Sequence, residues 1–323
     1  MASAIVAQEP ASAFVTSAPR RAQRAARLRK LDRPVFAHRG LPYLLVLPQL
    51  LIVGAFFLWP SVRAVSEAFQ QTNAFGLGAR FSGLRNFVDA LANGTYLQST
   101  EVTLVFAFLT TVLSMAIGLF LSVQVDQTGR SRPIYRTLFV WTYAVPGAIA
   151  GALWLFLFQP DLGPGARLLA DIGVRWNFAL HGDQAMALVV ALTVWQQSAY
   201  NFLFFTAGLQ GIPGDVLDAA AVDGAGGARR FWRVTFPLLA PVTFFLLVMN
   251  VLYAFFSSFA VIDIVTQGGP AGATNTLVYQ LYRDGFQNAD SGIAGAETIV
   301  LLAMAALLTA AQFRALNRRI HYR

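Results

Sequence analysis

Gln197, Tyr200 and Asn201 recur at spacings of three and four residues inside a stretch that is otherwise mostly apolar. At about 100° per residue the three share one face of a helix, with Gln196 one position off it. Trp195 and Ser198 thicken this polar cluster. Asn250, Tyr253 and Ser257 repeat the spacing in a later apolar stretch, with Ser258 beside them, and Tyr143 lies in an earlier one. All are amides, phenols, hydroxyls or an indole, which hydrogen-bond a polar solute without carrying charge. Such groups are costly in hydrocarbon without a partner, so they either line a solute pathway or bond helix to helix. For each residue both roles stay open; for the combined faces a pathway is the favoured reading.

Other chemistries are excluded by what is missing. The chain has no cysteine, so disulfides, thiolate metal sites and thiol nucleophiles do not arise. His38, His181 and His321 lie far apart, and the acids fall mainly in loops, so neither a metal centre nor a catalytic constellation stands out. The glycine-rich run from Gly224 to Gly227 is followed by Ala228, Arg229 and Arg230, without the lysine and hydroxyl of a phosphate loop. The expectation is a chain that is no enzyme and binds no cofactor or metal of its own. Gly147 and Gly151 read as a close helix contact, and Glu101 and Glu297, near the ends of apolar runs, receive no transport role.

The elements that must position the polar faces are long and apolar. Of 323 residues 56% are hydrophobic and 12% charged, about half the charge of a soluble domain. A membrane helix needs about 20 such residues, and six runs qualify: 42–59, 100–125, 137–158, 185–209, 238–262 and 293–313. The predicted fold is therefore an all-α membrane protein with six transmembrane helices. Charge orients it. Of the 24 Lys and Arg, 18 fall in the N-terminal segment (Arg20, Arg21, Arg24, Arg27, Arg29, Lys30, Arg33, Arg39), the second-to-third loop (Arg130, Arg132, Arg136), the fourth-to-fifth loop (Arg229, Arg230, Arg233) and the C-terminus (Arg314, Arg318, Arg319, Arg323). The other side keeps Arg63, Arg80, Arg85, Arg167, Arg175 and Arg283. This asymmetry puts both termini in the cytoplasm and accounts for the net +8 without nucleic acid. Residues 1–40 read as a disordered basic cytoplasmic tail in preference to a transit peptide, and residues 41–323 as the membrane domain. Two outer loops exceed simple turns: the first, about Pro60 to Ser99 and containing Phe81 to Phe87, is expected to form short interfacial helices, and the stretch 263–292 is broken by Gly268, Gly269 and Pro270.

The loop 211–237 does not read as a linker. Pro213, with Asp215 and Asp218 in the first turn, starts a helix, because proline tolerates that position and acids favour the positive end of the helix dipole. Ala219, Ala220 and Ala221 extend it, and Gly224 can end it with positive φ. A second short helix from about Gly227 to Val234 sets Phe231 and Trp232 beside three arginines, until Pro237 opens the fifth run. Apolar groups exposed on such a helix-Gly-helix elbow call for a partner.

Asp218-Ala219-Ala220, Gly224, Val234-x-Phe236 and Pro237 match the spacing of the EAA loop in permeases of binding-protein-dependent ABC importers, with Asp218 for Glu, Val234 for Ile and Phe236 for Leu. The chain resembles the sugar-type, MalF-like branch of that family through Leu41-Pro-Tyr-Leu-Leu-Val-Leu-Pro-Gln49, Trp59-Pro60 and Thr266-Gln-Gly-Gly-Pro270, followed by Asn275-Thr276-Leu277 and Tyr282. It is similar to the glycerol-3-phosphate branch through Tyr143-Ala-Val-Pro146, Ser198-Ala-Tyr200-Asn201, Ala220-Ala-Val-Asp223-Gly224-Ala-Gly226 and Val251-Leu-Tyr253-Ala-Phe-Phe256.

The resemblance implies a type I ABC importer permease in the bacterial inner membrane, with Asp218, Ala219, Ala220, Asp223, Gly224 and Pro237 coupling it to its motor. The implied partners are a second, homologous permease, two cytoplasmic ATPase subunits that bind ATP and magnesium, an extracytoplasmic solute-binding protein and the lipid bilayer. The implied solute is sn-glycerol-3-phosphate or a related glycerophosphodiester, with a neutral sugar or oligosaccharide as the alternative and an ion-coupled secondary transporter as a more distant one. No Lys or Arg lies within the six runs. An anionic solute would then meet only weak neutral donors along Tyr143, Trp195, Gln197, Tyr200, Asn201, Asn250, Tyr253 and Ser257, with Arg63 or Arg283 as outer contacts.

Overall fold

The computed structural model describes residues 41–72, 79–129 and 132–317, so the tail expected over residues 1–40 lies outside the described residues. The chain divides into two units, Met1–Ser61 and Val62–Arg323. In the first, helix Leu41–Val53 contains Pro48 and runs into a π-helical turn, Gly54–Leu58. Its large apolar side chains, among them Leu44, Leu47, Leu51 and Phe56, are exposed.

The second unit is built round two long helices, Gly94–Asp126 and Gly182–Gln210, the second and fourth apolar segments. Asn93 starts the former by accepting a hydrogen bond from the Thr95 amide at 2.9 Å, as an N-cap side chain does. The two helices pack along much of their length, burying Phe106, Leu188, Leu192, Phe202 and Phe205. Gly118 permits this approach: a Cβ there would stand 2.5 Å from the Asn201 Cβ and 2.9 Å from the Phe202 nitrogen.

Five helices are long and apolar enough to cross a membrane: Tyr43–Ala68, Gly94–Asp126, Gly182–Gln210, Ala240–Ser257 and Ser291–Ala315. The third segment, read from sequence as one run over 137–158, is two helices, Arg132–Tyr143 and Gly147–Phe158, bent by 91°. Counting that pair as one broken crossing gives six. Pro146 explains the break, since it donates no backbone hydrogen bond and disfavours helical geometry at Val145. The carbonyl of Val145 accepts instead from Gln196 Nε2 on the fourth segment at 2.9 Å.

Among the described residues, the first connecting loop holds the helix Arg85–Ala92 after a two-stranded antiparallel ribbon, Gln70–Thr72 with Ala79–Phe81, in which Gln70 faces Phe81. Buried Asn86 ties the helix down by donating to the carbonyls of Ala68 and Gln70 at 2.9 and 2.8 Å. In the stretch 263–292, helix Leu277–Tyr282 continues into a π-helical turn, Arg283–Gln287. A buried chain of side chains holds this stretch: Asn275 Nδ2 donates to Ser99 Oγ and Gln280 Oε1, and Gln280 Nε2 donates to Asp284 Oδ2 at 2.6 Å.

Candidate transport cavity and coupling elbow

A cavity of about 540 Å³ opens between the third, fourth and fifth segments, lined by Tyr143, Gln197, Tyr200, Met249, Leu252, Tyr253, Phe256 and Ser257. Each element delivers its residues for a local reason. Tyr143 is the last residue of Arg132–Tyr143, brought there by the break before Pro146. Gln197 and Tyr200 are one turn apart on the fourth segment. The fifth segment changes from α-helix at Leu252 to a π-helical turn, Tyr253–Ser257. That wider turn keeps Tyr253 and Ser257 on one face, and such turns cluster at functional sites.

The Tyr143 and Tyr200 rings lie 5.4 Å apart, and Tyr200 continues an aromatic line through Phe204 at 4.8 Å and Phe245 at 5.2 Å. Among the described residues, no acidic or basic side chain lines the cavity. Its chemistry is that of three phenols, a primary amide and a hydroxyl on an apolar floor, which can hold a small polyol or ester by several weak bonds.

The structure brings together five of the eight residues singled out for a pathway: Tyr143, Gln197, Tyr200, Tyr253 and Ser257. Asn201 and Asn250 are elsewhere, buried in a three-helix clamp. Asn250 Nδ2 donates to Asn201 Oδ1 at 2.7 Å, Asn201 Nδ2 donates to Ser114 Oγ at 3.0 Å, and Ser114 Oγ donates to Asn250 Oδ1 at 3.1 Å. Trp195 lines a separate, larger apolar groove of about 780 Å³ and lies 5.9 Å from the Trp154 ring. Three buried contacts were not assigned from the sequence: Ser114 was not singled out, Gln196 was set one position off the polar face, and Glu297 was placed near the end of an apolar run. Glu297 is 1% exposed and interacts with Asp284.

The elbow is the second candidate site. Helix Gly214–Val222 has Asp215 in its first turn and no buried residue. It ends in a Schellman arrangement, in which the amides of Ala225 and Gly224 donate to the carbonyls of Ala220 and Ala221, both at 3.0 Å. Gly224 supplies the φ of +76° that this closure needs. Asp218, Ala219, Asp223 and Gly224 are exposed and Ala220 is half-buried. Helix Gly227–Arg230 then leads through a π-helical turn, Phe231–Thr235, to helix Phe236–Leu238 with exposed Pro237. Phe231, Trp232 and Phe236 pack ring on ring at 5.1 to 6.2 Å. Val222 and Trp232 remain 88% and 63% exposed, an apolar surface left largely uncovered by the described residues. Between the elbow and the ends of the second and fourth segments lies a cleft of about 390 Å³, lined in part by Asp126, Leu209, Leu217, Arg230 and Trp232.

Residues 114–322 match the family model described as "Binding-protein-dependent transport system inner membrane component". The chain is 49% identical over 292 residues to the sn-glycerol-3-phosphate transport system permease protein UgpA of Brucella abortus, covering 90% of this chain and all of that one. To the same-named protein of Yersinia enterocolitica it is 47% identical over 291 residues, covering 90% and 99%. Among solved structures, a chain of a bacterial ABC transporter involved in the import of the acidic polysaccharide alginate superposes with a TM-score of 0.76 at 19% identity, over 92% of this chain and all of that one, a likeness of fold. The chain belongs to the family of inner-membrane components of binding-protein-dependent transport systems.

Proposed function

We propose that this chain is one of two permease halves of an ATP-driven importer for sn-glycerol-3-phosphate or a related glycerophosphodiester. The cavity carries the reading: five neutral polar side chains from three segments converge on it, among apolar residues. Similarity to permeases named for sn-glycerol-3-phosphate transport supports the substrate. In this reading the broken third segment is one crossing, six helices span the inner membrane, and both termini are cytoplasmic.

The elbow 211–237 then faces the cytoplasm and docks on one of two ATPase subunits, which bind ATP and magnesium. A homologous permease completes the cavity wall, and an extracytoplasmic binding protein delivers the solute. Closure of the ATPase pair moves the elbow, tilts the attached segments and turns the cavity from outside-open to inside-open. A neutral oligosaccharide is the second reading, favoured by a cavity lining that, among the described residues, holds no cation. The test is ATPase stimulation and solute uptake by the complete complex in proteoliposomes, with binding protein and each candidate solute. Stimulation by glycerol-3-phosphate supports the assignment; stimulation by sugars alone overturns it.

A further inference from the structure

We infer that Gln196 is a positioning residue for the solute: its bond to the Val145 carbonyl pins the joint in the third segment and so holds Tyr143 in the cavity wall, an inference that rests on the solute cavity proposed above. Gln196 is 6% exposed and is not among the residues that line that cavity. Its Nε2 donates to the Val145 oxygen at 2.9 Å, across 51 residues of chain. That carbonyl needs an outside donor. In an uninterrupted helix it would accept from the amide four residues on, that of Ile149. Beyond Pro146 the ladder instead restarts with the Ala150 amide donating to the Pro146 oxygen at 2.9 Å.

The two sides of the joint rest on different elements. Beyond it, helix Gly147–Phe158 lies on helix Phe259–Val265, so closely that a Cβ at Gly151 would stand 3.2 Å from that of Ile264. Before it, helix Arg132–Tyr143 lies on the fourth segment, where the Phe139 and Phe202 rings are 5.3 Å apart and the Tyr143 and Tyr200 rings 5.4 Å apart. Residues 144–146 between the helices belong to neither. Among the described residues, the Gln196 amide supplies the one hydrogen bond that ties those three to another segment.

The chemistry of Gln196 fits that task better than it fits packing. Its Oε1 is buried without a hydrogen-bond partner among the described residues, and a buried acceptor left unpaired is a net cost. A methionine of similar shape would fill the space without that cost; what glutamine adds is the donor to Val145. Tyr200 follows Gln196 by four residues, and Tyr143 precedes Val145 by two. A hydrogen bond at one end and a ring contact at the other therefore hold the two stretches in register, about 6 Å apart along the fourth segment. A phenol displaced by about 1 Å loses the geometry of a hydrogen bond to solute.

The test uses the complete complex in proteoliposomes, with binding protein saturated with glycerol-3-phosphate and uptake counted per folded complex. Gln196→Met keeps the length of the side chain and removes the donor; it is expected to lower uptake about fivefold, the factor for one hydrogen bond. Tyr143→Phe is expected to lower uptake by a similar factor, and adding Gln196→Met to it should lower uptake no further. A fluorine resonance reads the position directly: with fluorotyrosine in place of Tyr143, Gln196→Met should shift or broaden the signal, while the same probe in place of Tyr279 stays as it was. Losses that multiply in the double variant, or an unmoved signal from the probe at Tyr143, overturn the inference. Wild-type uptake in Tyr143→Phe overturns the cavity reading itself, and the inference with it, whatever the resonance does.

Discussion

Asn250→Ala separates the two roles that a polar residue in a membrane segment can play. In the structure Asn250 is 3% exposed and makes three contacts to other helices: to Asn201 Oδ1 at 2.7 Å, from Ser114 Oγ at 3.1 Å and from Asn201 Nδ2 at 3.3 Å. Interhelical bonds of this kind average about 0.6 kcal/mol in a membrane, with a maximum near 1.7. Three of them give roughly 2 kcal/mol, and the orphaned Asn201 oxygen adds about 1 kcal/mol more. Asn250→Ala should therefore destabilise the purified protein by about 2 to 3 kcal/mol, measured by denaturant unfolding in mixed micelles. In a cycle with Asn201→Ala, two of the three bonds are shared. The double variant should fall short of the summed losses by about 1 kcal/mol. Uptake per folded complex should stay within about twofold of wild type. Independent, additive losses would break the clamp argument, and full stability with lost uptake would make Asn250 a solute contact instead.

Cavity residues should behave in the opposite way. Tyr253→Phe and Gln197→Ala should lower uptake roughly fivefold each, the worth of about one hydrogen bond at 1 kcal/mol, with unfolding midpoints little changed. At the elbow, Gly224→Val places a β-branched residue at φ +76°, which costs about 1 to 3 kcal/mol locally. It should uncouple ATP hydrolysis from uptake while near-ultraviolet dichroism of the membrane helices persists. Asp218→Lys reverses charge on an exposed helix with no buried residue; the isolated permease should melt as before, and co-purification with the ATPase should be lost. Gly118→Val should reduce the yield of folded protein, because the Asn201 Cβ and the Phe202 nitrogen already occupy the space.

The elbow was legible in the sequence because its determinants are local. Pro213, Asp215, the alanine run and Gly224 act within a few residues of themselves, and helix Gly214–Val222 starts and ends where they place it. The polar face of the fourth segment was legible only to the resolution of helical spacing. Tyr200 and Asn201 are adjacent, about 100° apart, and periodicity assigns both to a broad polar face. What separates them is the register of the neighbouring helix: Gly118 lets the second segment come close enough for Ser114 to reach Asn201, and Tyr200 is left facing the cavity. The break in the third segment was present as Val145-Pro146, yet hydropathy runs straight through it, since an average over apolar residues does not register one missing N–H. Burial of Glu297 was not legible, because it depends on how the π-helical turn carrying Asp284, only thirteen residues earlier, folds back against the helix that carries Glu297.

The fifth segment links the two candidate sites, and its irregularities fall at its ends. Between the π-helical turns Phe231–Thr235 and Tyr253–Ser257 run the short helix Phe236–Leu238, Leu239 and the regular helix Ala240–Leu252. That regular helix spans about 20 Å at 1.5 Å per residue. A regular helix resists bending, whereas π turns hold weaker, shifted hydrogen bonds and change register at lower cost. In the proposed cycle, a push on the elbow therefore passes along Ala240–Leu252 as a rigid element and is converted at Tyr253–Ser257, where the cavity residues sit. The Asn250 clamp lies just before that conversion point and fixes the rod against the second and fourth segments. Pivoting about the clamp moves Tyr253 and Ser257 relative to Gln197 and Tyr200, which opens and closes the polar face. Loosening the clamp should then raise ATP hydrolysis in the absence of solute, a leak in coupling that Gln197→Ala, which leaves the rod intact, should not produce. Equal solute-free hydrolysis in Asn250→Ala and Gln197→Ala would rule out the pivot.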